Sequence, residues 1–280
     1  MMNNLKGALK FILALGIMLS SILLAMSIFT HTTLLNQGFY SSSLEKGNYF
    51  TYLDQEIDYS FRNYSLITSI PEKVFSSAVS GDEIRNLTTD NINSTMAYMK
   101  NEKNYVDEKI EVSGIDSALK KYASGFYLEK NQLSTVTDEA AAIINSHAVL
   151  FDVSAVMKYS QFQSFRRALY TVYDKLYVIA AALAVLLIFL FILYRENIWL
   201  FELWTGGALI AASLVILVPT LMGFIFNIPY RFAVENYYLK VALSSIALGY
   251  LRNLAVSGTV MLAAGLGLLL RGANKSRVRE

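Results

Sequence analysis

"LYVIAAALAVLLIFLFILYRENIWLFELWTGGALIAASLVILVPTLMGFI", residues 176–225, is two apolar runs joined by a short polar turn. Residues 176–194 and 203–225 contain no Asp, Glu, Lys or Arg. A helix needs roughly 17–25 such residues to cross about 30 Å of hydrocarbon, so the stretch predicts a transmembrane hairpin. Its turn, "YRENIWLFELW" at 194–204, holds both tryptophans of the chain. Trp199 and Trp204 suit the aromatic belt at a membrane surface, and Asn197 suits the N-cap of the second helix. Glu202 falls near the positive end of that helix, with Arg195 as a neighbour. Trp199, Trp204, Arg195 and Glu202 are therefore read as interface anchors rather than as a catalytic group. Pro219 lies inside the second run, where it frees the carbonyl of Val215 and predicts a helix kink.

Two more uncharged runs, 11–29 and 254–270, raise the expected spans to four. The last is at the lower limit of length, and 246–251 are apolar enough to extend it. Only 16% of the 280 residues are charged, against about 25% in soluble domains. Lys6 and Lys10 precede the first run, Arg195 lies in the hairpin turn, and Arg271, Lys275, Arg277 and Arg279 follow the last. Short Lys/Arg-rich loops stay in the cytoplasm, and all three groups share one side if each run crosses once. The expected topology places both termini in the cytoplasm and residues 32–175 outside. Residues 1–31 form the N-terminus and first span, 176–225 the hairpin, 226–253 an outer amphipathic segment, and 254–280 the fourth span with its basic tail. The first run outlasts the about 7–15 apolar residues of a signal peptide, so a retained anchor is expected. With no cysteine in the chain, a bacterial envelope is the expected setting.

Small residues four apart, Ala255, Thr259, Ala263 and Gly267, predict the packing face of the last span. Gly16 with Ser20, Ala180 with Ala184 and Gly207 with Ala211 repeat the spacing elsewhere. The same stripe would also serve a homo-oligomer.

Residues 32–175 carry 18 acidic and 14 basic side chains and read as helices. Ser42–Glu45 and Ser80–Glu83 have capping-box spacing. Leu53, Ile57 and Phe61 form one apolar stripe; Ile84, Leu87 or Thr88, Ile92, Met96 and Met99 form a second; Ile115, Leu119, Tyr122 and Phe126 form a third. Pro71 suits a first helical turn, and Thr137-Asp138-Glu139 suits a helix start. "KIEVSG", 109–114, is the one passable strand. The fold class is thus an all-α integral membrane protein, a four-helix transmembrane bundle with a large helical extracytoplasmic domain between spans 1 and 2.

The chain holds no HExxH, GxSxG, phosphate-binding glycine loop or cysteine nucleophile. His31 and His147 lack companions at ligand spacing, and no cofactor, metal or nucleic acid is expected. Paired carboxylates such as Asp54/Asp58 and Asp107/Glu108/Glu111 read as solvated charge. The expected partners are the lipid bilayer and other membrane or envelope proteins. The reading is a non-enzymatic multi-pass envelope protein whose outer domain binds or senses a partner or ligand within a complex. One large outer domain after span one, then three more spans, is similar in topology to ABC-family proteins of the FtsX type. That resemblance implies a transport or permease component, but the turn "RENIWLFE" is short for the ATPase contact those proteins make. An outer-surface lipid or cell-wall enzyme is the third reading.

Overall fold

The computed structural model describes residues 2–106, 113–125 and 130–277. Within them all regular structure is helical, with no strand. Phe126, residues 109–112 of the expected strand, Asp107, Glu108, Glu111 and Arg279 lie outside the described residues. Among the described residues, four helices are long and apolar enough to cross a membrane.

The chain divides into two compact units. The first comprises Met1–Asn36, Arg167–Arg231 and Ala247–Glu280. Its helices are α1 (Met2–Phe29), which ends in a π-helical turn at Thr30–Leu34, α10 (Leu176–Leu193) and α11 (Ile198–Ile225). The greater part of α12 (Tyr237–Arg277) and the end of α9 (Ser160–Asp174) also belong to it. Helix α1 packs against both α10 and α11. Ile17, Leu190, Tyr194 and Ala208 form the core there, with Leu13, Leu186 and Trp204 packed around them. Lys10 places its ammonium 4.7 Å from the centre of the Tyr194 ring. At the other end of α1, Ser27 donates to the Val172 carbonyl at 2.7 Å and His31 stacks on Tyr173 at 3.9 Å. Its Nε2 lies 2.7 Å from the Tyr173 carbonyl oxygen. His31 is thereby a clasp between α1 and α9. Helix α12 has 41 residues, about 62 Å at 1.5 Å per residue, twice the thickness of a hydrocarbon core. The amphipathic segment expected at 226–253 is therefore helical from Tyr237 onward and continuous with the last apolar run.

The second unit comprises Gln37–Arg166 and Phe232–Ile246. It holds α2 (Gln37–Lys46), α3 (Tyr49–Thr68), α4 (Glu72–Ser76), α5 (Gly81–Met99), α6 (Ser113–Ala123), α7 (Lys130–Ala148), α8 (Ser154–Met157), and the first turns of α9 and α12. Asn48, in the left-handed region at φ 56°, turns the chain from α2 into α3. Helix α3 buries Leu53, Ile57 and Phe61 against α7, whose Ala140 and Ile144 are fully buried. Phe61 stacks on Phe75 at 5.5 Å, and Ile115 and Leu119 of α6 complete the layer. Each such side chain contributes roughly 1.5–3 kcal/mol on leaving water.

The Ser80 hydroxyl accepts from the Glu83 amide at 3.2 Å, so Ser80 caps α5 at the expected place. The Ser42 box does not cap: α2 starts at Gln37 and carries Ser42 inside it. Its early start brings Tyr40 edge-on to Phe151, a tertiary contact outside the reach of local spacing. Pro71 is the N-cap of α4 rather than its first turn, and α7 begins seven residues before Thr137.

Candidate functional site

Glu202 is 4% exposed, in the second turn of α11. Its Oε1 accepts from Lys275 Nζ at 2.6 Å and pairs with Arg271 Nε at 3.2 Å. Both cations come from the end of α12, so the expected neighbour Arg195, which is exposed, is not the partner. Glycine at 272 makes the pairing reachable, since a Cβ there would sit 2.8 Å from the Trp199 carbonyl oxygen. Glu202 Oε2 and the Thr205 hydroxyl, three residues on, are buried without a hydrogen-bond partner. Asn197 occupies the N-cap of α11 but makes no side-chain capping bond. Trp204 packs on the core of α1, α10 and α11, and Trp199 is half-buried.

Helix α12 meets α11 along a different stripe from the expected one. Gly258, Gly265 and Gly272, seven apart, are buried, whereas Thr259, Ala263 and Gly267 are exposed and Ala255 is half-buried. A Cβ on Gly265 would stand 2.9 Å from the Gly206 carbonyl oxygen, and one on Gly206 would stand 2.8 Å from that of Gly265. These two glycines set the crossing by backbone contact. A Cβ on Gly267 or Gly207 meets nothing within 4 Å. Packing against α11 thus falls on the period of seven, and Gly267 of the period-of-four stripe stays outside that contact. Helix α11 runs unbroken through Pro219, and Thr220 donates to the Ile216 carbonyl at 2.6 Å.

In the second unit, His147 joins three helices. Its Nε2 lies 3.0 Å from Ser60 Oγ on α3, and its Nδ1 lies 3.1 Å from the Tyr238 hydroxyl on α12. Both partners are hydroxyls, so a neutral imidazole is satisfied in either tautomer. The chain Ser60–His147–Tyr238 has the order of a nucleophile with its base. Ser60 sits mid-helix, however, where the neighbouring amides are spent on helical hydrogen bonds and offer no oxyanion hole. The arrangement therefore ties α3, α7 and α12 together rather than building a catalytic centre.

Burial pushes the His147 imidazole below its usual range, against the pull of nearby Glu56. The unfolded chain takes up this proton near pH 6.5 while the folded one resists it, so stability falls as pH drops below that value. His147→Gln is expected to flatten the decline in thermal midpoint between neutral and mildly acidic pH, measured by circular dichroism. Asp54 acts in the opposite sense: burial, then Asp58, raise its carboxyl, with Arg85 opposing. Among the described residues, no three His, Asp or Glu converge as a metal site would require.

A cleft of about 460 Å³ opens beside the α7–α8 connection. Its polar lining includes Asn91, Asn145, Ser146, Asp152 and Ser154, and Val149 and Phe151 supply an apolar wall. Asn91 accepts from the Phe151 amide at 3.1 Å, fixing the connection against α5. Asp152 Oδ1 accepts from the amide and hydroxyl of Ser154, a turn that holds the carboxylate at the rim. Single-sequence patterns do not reveal this cleft, because its walls come from helices 50 to 60 residues apart. The chain matches no protein-family model, no curated protein and no solved structure.

Proposed function

We propose that this is a non-enzymatic multi-pass envelope membrane protein whose second unit lies outside and binds a partner in the cleft beside Asp152, as part of a complex. The cleft carries the reading. Its volume falls in the range of about 300–1,000 Å³ typical of ligand sites, and it offers amide, hydroxyl and carboxylate groups beside an apolar wall. Orientation follows from the basic residues Lys6, Lys10, Arg195, Arg271, Lys275, Arg277 and Arg279, which belong on the cytoplasmic side.

The chain has no native cysteine, so single introduced thiols report topology without background. Glu83→Cys is expected to react with a membrane-impermeant maleimide in intact cells, and Arg277→Cys only after permeabilisation. The reverse pattern would overturn the orientation. Binding is tested by co-purification in mild detergent. Ser146→Trp, at an exposed position lining the cleft, is expected to release a stably associated partner without changing the elution or helicity of the chain. A chain that purifies alone and monomeric under every mild condition would refute the binding role.

A further inference from the structure

The first unit holds a second concavity, an apolar groove of about 340 Å³ walled by α1, α10, α11 and α12. Ser21 and Ala25 of α1 face it one turn apart, with Leu183, Leu209, Val260 and Met261 from the other three helices. Ser21 and Ala25 are the short side chains of its α1 wall, beside the longer Leu24 and Ile28. Ser21 has a buried hydroxyl with no hydrogen-bond partner, so it contributes shortness and no polar contact to a neighbouring helix. At one end α1 and α12 are fastened together. Phe29 meets Tyr250 edge-on at 5.9 Å, and Asn253 Nδ2 donates to Thr33 Oγ1 at 3.0 Å. Ile28 and Val256 line the groove immediately beside that fastening.

We propose that this groove binds one acyl chain of a membrane phospholipid, lodged between α1 and α12. Three considerations select that occupant. An apolar wall gives water too few partners to hold it. An empty groove forfeits dispersion contacts along its lining. The helices that form it are the four apolar enough to cross a membrane, where the abundant slender apolar molecule is a lipid chain. The inference rests on the membrane reading given above.

The test uses the full chain in membranes doped with a phospholipid bearing a diazirine midway along one acyl chain. After irradiation, cross-links are mapped by mass spectrometry. Labelling around Ala25 and Met261 is expected to exceed that at Leu19 and Leu23, exposed residues outside the groove, by about tenfold, the preference that about 1.4 kcal/mol confers. Val260 is 64% exposed, so Val260→Trp is tolerated and is expected to reduce groove labelling to the level at Leu19. Leu270→Trp, also exposed but outside the groove, is expected to leave it unchanged. Uniform labelling, or groove labelling indifferent to Val260→Trp, overturns the site while leaving the membrane reading intact. A chain that alkaline carbonate strips from membranes overturns both.

Discussion

Gly265→Leu is expected to abolish the cooperative thermal transition of the detergent-solubilised chain, whereas Gly267→Leu leaves it in place. The two glycines lie two residues apart on one helix and differ only in what they face. A Cβ at 265 would come within 2.9 Å of the Gly206 carbonyl oxygen and 3.0 Å of the Ile210 amide nitrogen. These are backbone atoms of α11, which cannot rotate away as a side chain would. Even alanine must push the helices apart, at about 1–3 kcal/mol for an overpacked contact. Leucine adds three more carbons and separates α11 from α12 altogether. At 267 nothing lies within 4 Å, and removing a helical glycine there gains about 0.5–1 kcal/mol of backbone entropy. Gly206→Leu is expected to match Gly265→Leu, and Gly207→Ala to match the neutral control. Fluorescence-detected size exclusion after heating separates the two classes; a Gly265→Leu chain as stable as its parent would show that the close crossing does not form.

Removing both cations around Glu202 is expected to cost more than removing the carboxylate itself. The Glu202 side chain is 6% exposed, against 68% for Arg271 and 42% for Lys275. When Glu202→Gln deletes the anion, the two cations can swing into water, and the loss is about 1 kcal/mol, of the order of one hydrogen bond. When Arg271→Ala and Lys275→Ala are combined, the carboxylate is left desolvated with no counter-charge, at a cost of about 3 kcal/mol or more. Adding Glu202→Gln to that double variant is expected to restore most of the loss. Thermal midpoints of the four proteins in one detergent decide the matter. Equal losses for the single and double variants would mean that Glu202 reaches water when its partners are gone.

Hydrophobic spacing and capping chemistry made the helical class, the four apolar helices and the α3, α5 and α6 core stripes legible in the sequence. These are local signals: Ser80 caps because Glu83 is three residues away, and Ile84 to Met99 share a face by period alone. What stayed hidden depended on distance along the chain. Glu202 pairs with residues about 70 positions later, while Arg195, close in sequence, points elsewhere. The tie from Ser60 through His147 to Tyr238 spans 178 positions, and no spacing rule connects them. The glycine seam was visible in principle. Residues 255, 259, 263 and 267 and residues 258, 265 and 272 are both regular series of small side chains on α12. They occupy different faces of the helix, and choosing between them requires knowing where α11 lies.

The seam at Gly258, Gly265 and Gly272 also makes α12 a counting device. Seven residues fall about 20° short of two full turns, so the three glycines stay nearly in line. Deleting one residue between any two of them rotates everything beyond by about 100° and turns the later glycines away from α11. A lesion of seven residues would keep the face and change only the length. Along this helix, tolerance to insertions and deletions should therefore follow the remainder after division by seven, with near-native assembly at zero, partial contact at three or four, which turn the face by about 40–60°, and loss of the α11 contact at two or five, which turn it by about 140–160°.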